Sequence, residues 1–289
     1  MLERVEKSGG QEVVLVEQLV NPLDLLVKQK VSKAYSSLLS IFQSLAGAGS
    51  LSFNHKLLFL DIALKLIDSD NEMIPIRILQ VLLILTTRDD VGRPPMANKI
   101  LQLCLKAFTS KNPSIKSNVF VLLRQMTTLL FGEYSKDNNL QNVCFDIIDQ
   151  LIIVAGDKYK QIRFKCLSMD LLTVILAEGK ETLRKSVQIV ELLENAYTPW
   201  LKNYLVHEIE SYPVVFRVVK SVTQLMLTVR KSYILIQPMI AMASSMHSWH
   251  RYLVLESFCA LFGNYEQILL ISTITNEITN QSVIFYVIC

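Results

Sequence analysis

The sequence predicts an all-α protein made of many amphipathic helices of similar length. Apolar runs recur along the whole chain of 289 residues, 51% of which are hydrophobic, and most of these runs are about 12 to 20 residues long, the length of ordinary helices. Only nine glycines and eight prolines occur, and the prolines stand mostly between the apolar runs. This distribution favours helices over many short strands.

Residues 110–131, "SKNPSIKSNVFVLLRQMTTLLF", illustrate the pattern. Asn112 is a residue type that caps the unpaired amides of a helix, and Pro113 suits the first turn, where a missing N–H costs nothing. Apolar residues then follow at steps of three and four, which is the spacing of one helix face. The predicted core stripe consists of Ile115, Val119, Leu122, Met126 and Leu129.

Breaks in the pattern divide the chain into further helices. The predicted helices are 11–20, 23–46, 54–68, 74–87, 95–110, 113–133, 139–155, 158–178, 181–200, 203–211, 213–230, 232–246, 248–262 and 265 onward. The breaks recur about every 20 residues per helix and 40 per helix pair, which is typical of HEAT and armadillo repeats, where stacking of pairs supplies the core. We therefore predict an armadillo/HEAT-like α-solenoid of about 13–14 helices.

Composition and charge argue against nucleic-acid binding, secretion and a transmembrane helix. The net charge is only +3, and the scattered Lys and Arg residues form no nucleic-acid footprint. The five cysteines are widely spaced, and the four at 104, 144, 166 and 259 lie in apolar helical runs, so we expect buried, reduced thiols in the cytosol. We expect neither a secretion signal nor a transmembrane helix, because the longest uncharged run, 232–250, contains Pro238, serines and histidines.

Few residues form a recognisable chemical motif. "DSDNE" at 68–72 offers three carboxylates, but Met73 stands where a calcium loop needs glycine. His247 and His250 have the spacing of two metal ligands on a helix, without a third ligand, and "GAGSLS" at 47–52 lacks the third glycine of a dinucleotide loop. We expect solvated loops and turns at these places, and no catalytic residues, metal or cofactor.

Two segments resemble a known family. "RILQVLLILTTRDDV" (77–91) and "NKILQLCLKAFTSKNPSIKSNVFVLLRQMTTLLF" (98–131) are similar to the dimerisation and cyclophilin-binding (DCB) domain of the large Golgi Arf guanine nucleotide exchange factors and their Mon-two (monensin-sensitivity) relatives. The similarity lies in the Thr pair at 86–87, the "LKAF" segment that ends at Phe108, and "RQM" at 124–126. "SMDLLTVILAEG" (168–179), "YPVVFRVVKSVTQLM" (212–226) and "HRYLVLESFCALF" (250–262) resemble the homology-upstream (HUS) region of the same family.

The resemblance implies a domain organisation. Residues 1–135 would form a DCB-like domain, and residues 136–289 a HUS-like domain that continues it. "VLES" (254–257) and "FRVVKSV" (216–222) resemble the Mon-two branch most. The Asn-(Tyr)-Asp-Cys box that exchange factors carry at the end of this region is absent from residues 1–289, and we expect no catalytic exchange domain.

The resemblance also implies a function. It implies a non-catalytic scaffold of endosome and Golgi trafficking, cytoplasmic and peripheral at those membranes. Its partners would be an Arf-family or Arf-like small GTPase, a Dopey-type trafficking protein, or a second copy in a homodimer. Two alternatives stay open: the regulatory N-terminal portion of a true Arf exchange factor, and an unrelated armadillo or HEAT adaptor.

A basic edge around "KNPS" is the candidate partner surface. Lys106, Lys111, Lys116 and Arg124 avoid the apolar stripe, so we expect them to face solvent. They would either steer an acidic GTPase surface or an anionic membrane, or serve only as a solvated edge.

Overall fold

The computed structural model describes residues 32–49, 51–69, 71–86, 94–133, 138–157, 161–207, 211–244 and 247–263. In these ranges the chain is all-α, as predicted. The α-helices are α1 Ser32–Ala48, α2 Phe53–Leu66, α3 Met73–Thr86, α4 Pro94–Ala107, α5 Pro113–Glu133, α6 Asn138–Gly156, α7 Ile162–Glu178, α8 Lys180–Leu183, α9 Val187–Leu192, α10 Thr198–His207, α11 Tyr212–Thr228, α12 Ile236–Ala243 and α13 Ser248–Phe262. The predicted helices 11–20 and 265 onward lie outside the described residues, as does the start of 23–46.

The chain divides into two compact units, residues 1–147 and 148–289. In the first unit α1 packs on α3, α3 packs on α5, and α2 packs on α4. Alternate helices thus stack into two layers, the arrangement of an armadillo- or HEAT-type solenoid, in which each helix pair buries its apolar faces against the next pair.

Side-chain hydrogen bonds and an ion pair between neighbouring repeats of the first unit show the repeat period. Arg77 of α3 bonds to Ser40 of α1 across 37 residues, and Lys99 of α4 pairs with Asp61 of α2 across 38 residues. These separations match the predicted 40 residues per helix pair.

In the second unit α11 packs against both α7 and α13. The Arg217 guanidinium donates to the Asp170 carboxylate at 2.8 Å across 47 residues, and Thr228 of α11 donates to the Leu176 carbonyl oxygen across 52 residues. Because the residue numbers rise together on α7 and α11, the two helices are parallel, and this repeat is longer than those of the first unit.

Glycine ends α1 at the break predicted for residues 47–50. The helix runs to Ala48, and Gly49 takes the left-handed conformation with φ of 76°, which glycine adopts without strain. Ser52 then caps α2, because its hydroxyl oxygen accepts from the His55 backbone N–H at 3.3 Å.

The helix prediction was wrong between residues 181 and 211. We predicted two helices that meet near residue 202, whereas the chain is helical from Val187 to His207 through a π turn at Leu193–Tyr197. Pro199 has no N–H to donate to the preceding turn, and the π turn before it is the local departure from α geometry. The break lies instead between Leu183 and Val187.

The predicted helix 232–246 is also different in the structure. It begins as a 3₁₀ segment, Arg230–Leu235, and continues as the short helix α12, which ends at Ala243.

Candidate protein-interaction surface

The turn between α4 and α5 is held by local hydrogen bonds. The Asn112 side-chain oxygen accepts from the Ser114 backbone N–H at 2.8 Å, and the Ser110 hydroxyl oxygen accepts from the Asn112 N–H at 3.1 Å. Pro113 is the first residue of α5. The predicted cap is therefore confirmed, and it fixes where α5 begins.

Lys106 is bound to its own neighbouring repeat. Its Nζ lies 2.7 Å from the Asp68 carboxylate and donates to the Leu64 carbonyl oxygen at 2.8 Å. The Asn112 side chain similarly donates to the Glu72 carboxylate at 2.8 Å. The α2–α3 and α4–α5 connections are thus linked to each other, and the Lys106 charge is balanced within the fold.

The other three cations of the predicted basic edge differ in exposure. Lys111 and Arg124 are exposed, and Lys116 is half-buried. On α5, Lys116 and Arg124 are about 12 Å apart along the axis and about 80° apart around it. The binding role of the predicted edge of Lys106, Lys111, Lys116 and Arg124 remains a prediction.

The core stripe of α5 differs from the prediction at one residue. Ile115, Val119, Leu122 and Met126 are buried, but Leu129 is 39% exposed and Leu130 is buried at 2% exposure. Leu122 and Leu129 are seven residues apart and therefore only about 20° apart around the helix axis, so Leu129 is exposed because less of the fold packs beside this end of α5. The prediction that Leu129 belongs to the core was wrong.

An open groove of about 540 Å³ lies on the outer face of α5. The described residues that line it are Phe120, Val121, Arg124, Gln125, Thr128 and Leu129. The sequence-based predictions did not include this groove. The available signal was that apolar residues also occur outside the core stripe, at Phe120 and Val121.

The "DSDNE" carboxylates serve structural contacts where they are described. Asp68 pairs with Lys106, and Glu72 accepts from Asn112. The Asn71 side-chain oxygen accepts from the Met73 N–H at 3.1 Å, which closes the turn before α3. The predicted reading as an inter-helix loop therefore holds for these described residues.

The histidines of "HSWH" belong to an aromatic cluster at the start of α13. His247 is the N-cap residue, and His250 is buried. The Trp249 ring centroid lies 3.8 Å from His250 and 5.2 Å from Tyr212 of α11. Burial, with a smaller contribution from His247, lowers the pKa of His250. Throughout the ranges that the structure describes, no three His, Cys, Asp or Glu side chains lie close enough to hold a metal ion.

The cysteines are only partly as predicted. Cys104 and Cys144 are buried thiols, and burial raises the pKa of Cys144 to about 12, so that thiol is protonated and unreactive at neutral pH. Cys166 is half-buried, Cys259 is exposed, and Cys289 lies outside the described residues. Burial was therefore a wrong prediction for Cys259, whose helix turns it towards solvent.

No helix among the described residues is long and apolar enough to cross a membrane.

A family model matches the N-terminal part of the chain. Residues 1–138 match the family described as "DCB: Mon2/Sec7/BIG1-like, dimerisation and cyclophilin-binding domain". No curated protein matches the chain.

The chain also matches two solved structures. An engineered protein has 10% identity and a TM-score of 0.43, over 86% of this chain and 96% of its own. A designed armadillo repeat protein has 12% identity and a TM-score of 0.40, over 84% of this chain and 98% of its own.

Proposed function

Because residues 1–138 match the family model of the DCB domain of the Mon2/Sec7/BIG1-like type, we propose that this chain is a non-catalytic scaffold of endosome–Golgi vesicle trafficking. It presents helical surfaces to protein partners on the cytoplasmic side of those membranes. The DCB match is the observation that carries the proposal, since the description of that family names dimerisation and binding of a protein.

The partners that fit this role are an Arf-family or Arf-like small GTPase, a Dopey-type trafficking protein, and a second copy of the chain. Residues beyond the DCB match would act as a HUS-like region that continues the scaffold. The resemblance of "YPVVFRVVKSVTQLM" (212–226) to that region supports this part of the proposal.

An affinity pull-down from cytosol tests the scaffold role. The purified chain is immobilised and offered cytosol loaded with GTP or with GDP. Enrichment of an Arf-type GTPase in the GTP sample, together with a trafficking protein, supports the proposal. A bound fraction without either of these classes contradicts it.

The basic edge of Lys111, Lys116 and Arg124 is proposed as the surface that steers such a partner or an anionic membrane. Reversal of all three charges should weaken recruitment to Golgi-like liposomes, with or without loaded GTPase, and leave the melting temperature unchanged. Each well-placed cation near a membrane adds about 1 kcal/mol. A matched variant in which the charges of Lys185, Lys202 and Lys220 are reversed serves as the control. If the two variants are recruited to the liposomes equally, the basic edge contributes only to solubility.

A second candidate is the regulatory N-terminal portion of an Arf exchange factor. It is favoured by the same family description, which includes Sec7 and BIG1-like proteins. A reading frame that extends past residue 289 into an exchange domain would establish it.

A further inference from the structure

The outer face of α13 carries an exposed apolar stripe, which we call the α13 stripe. Tyr252 and Leu255 are 68% and 59% exposed, and Cys259, one turn further along, is exposed as well. Because these residues follow one another at steps of three and four, they lie within about 60° of one another around the helix axis. The opposite face, which includes Leu253 and Val254, is buried, and α13 packs on α11 and α12. A helix that is apolar on two opposite sides is typical of one that is covered on both.

In a helical solenoid, the next helices of the array cover such a stripe. Each helix pair buries its apolar faces against the following pair, as α1, α3 and α5 do in the first unit. The last helix that the structure describes is α13, and residues 264–289 follow it directly in the sequence. The part of the chain with the shortest path to the α13 stripe is therefore the segment that follows α13.

The sequence after α13 carries an apolar stripe of the same spacing. In residues 265–278, "YEQILLISTITNEI", the side chains of Ile271, Ile274 and Ile278 follow at steps of three and four, as those of the α13 stripe do. This spacing is that of one helix face, and both glutamates of the segment fall outside it. The segment lies outside the described residues, so its helix is a prediction from the sequence.

The connection between α13 and the predicted helix is short. Gly263 ends α13 as its C-cap residue, and Asn264 follows; both residue types are common in turns. Helices joined by about two to five residues pack as an antiparallel hairpin. Counted from this turn in both directions, Ile271 comes level with Leu255. The two apolar stripes can therefore face each other along their length.

We propose that residues 265–278 form the next helix of the array and cover the α13 stripe as the second helix of an antiparallel hairpin. Ile271 packs on Leu255, and Ile268 packs on Cys259. While this segment is in place, the α13 stripe is not a docking site for another protein. The proposed contacts lie within the chain, so they do not depend on the proposed trafficking role.

Disulfide trapping in the full chain tests the pairing. Native Cys259 supplies one thiol, and Ile268→Cys supplies the other, in a Cys289→Ser background that removes a competing thiol. The matched control is Leu269→Cys, because the next residue of a helix points about 100° away and here leaves the stripe. A protease that cleaves after glutamate separates the two cysteines at Glu266, so mass spectrometry identifies the cross-linked peptides.

We expect the cross-link from residue 259 to residue 268 to form at least about tenfold faster than the link to residue 269, because a disulfide needs closely placed Cβ atoms that point towards each other. Equal rates for the two variants would contradict the hairpin. A cross-link that forms only between chains, in a concentration-dependent dimer, would also contradict it and would assign the α13 stripe to a second copy.

A second test asks whether the exposed leucine of the α13 stripe is covered in the full chain. Leu255→Asp should lower the melting temperature by at least about 2 °C, because the carboxylate meets the apolar face of the segment. Val187→Asp is the matched control, at a valine that is 70% exposed on α9, and it should leave the melting temperature unchanged. Equal melting temperatures for the two variants would show that residues 265–278 do not cover the stripe.

Discussion

Leu122 and Leu129 lie on the same helix in opposite environments. Leu122 is 1% exposed, whereas Leu129 is 39% exposed. Burial of an unpaired carboxylate costs several kcal/mol, a large part of a net domain stability of about 5–15 kcal/mol. Leu122→Asp should therefore lower the melting temperature strongly or prevent folding, as measured by circular dichroism during heating.

Leu129→Asp provides the matched comparison. The same side chain is introduced seven residues along α5, at a position that is 39% exposed, so the melting temperature should stay closer to that of the wild type. Equal destabilisation by both substitutions would mean that Leu129 is packed in the core, as the sequence-based stripe predicted.

His250 should make the stability of the second unit depend on pH. Burial lowers the pKa of this imidazole relative to the unfolded chain, so below about pH 6.5, the ordinary histidine value, the unfolded state binds more protons. Stability is thus fully present above that pH and falls as the pH decreases towards the folded-state pKa. Urea unfolding of the wild type between pH 7.5 and 5 checks this window, with pH values chosen to bracket about 6.5.

His250→Gln should reduce the slope of stability against pH in that window, whatever its effect on absolute stability. His247→Gln, at an exposed position, should change the slope less. A slope in the His250 variant identical to that of the wild type would show that other groups cause the acid sensitivity.

At the scale of the helices, Gly47 and Gly156 differ in how much space surrounds them. A Cβ added to Gly47 of α1 meets nothing within 4 Å, whereas one added to Gly156 at the end of α6 lies 3.3 Å from Cδ1 of Trp200 on α10. Alanine at Gly47 should stabilise the chain by up to about 1 kcal/mol through helix propensity. Alanine at Gly156 should give no such gain, because the indole must move.

Tryptophan fluorescence tests the contact between Gly156 and Trp200 directly. Trp200 and Trp249 are the two tryptophans of the chain, so in a Trp249→Phe background the emission reports on Trp200 alone. Gly156→Ala should shift that emission, and Gly47→Ala should not. Identical spectra for the two variants would contradict the contact between α6 and α10.

The sequence predicted best those helices whose ends are marked by a capping residue or a proline. The bounds of α5 are as predicted, 113–133, because the Asn112 cap and Pro113 mark its start independently of the rest of the fold. The continuous helix through Pro199 was missed. It passes through the π turn at Leu193–Tyr197, in which Tyr197 is buried, and the sequence around Pro199 does not show whether a helix ends there or adapts to the missing N–H.

At the scale of the molecule, periodicity predicted the all-α repeat architecture, and the family resemblance predicted the match of residues 1–138 to the DCB family model. Neither could establish which charged residues are satisfied internally. The sequence predicts Lys106 to be a surface cation. In the structure its side chain contacts the Asp68 carboxylate and the Leu64 carbonyl oxygen, and both residues lie about one repeat earlier in the chain. The same limit applies to the α5 groove, because exposure of Val121 depends on which neighbours pack beside α5.

A non-catalytic scaffold should not accelerate nucleotide exchange on a GTPase. Exchange on a GTPase needs groups that are positioned together to displace the nucleotide and its metal ion. Four of the described carboxylates, those of Asp68, Glu72, Asp61 and Asp170, are instead held by Lys106, Asn112, Lys99 and Arg217 of neighbouring repeats. The purified chain should therefore release a fluorescent nucleotide from Arf proteins no faster than the buffer control does. A dose-dependent acceleration by the wild type, retained after removal of any co-purifying protein, would show that the chain is itself an exchange factor. Loss of that acceleration in the variant with Lys111, Lys116 and Arg124 reversed would further assign the activity to the basic edge.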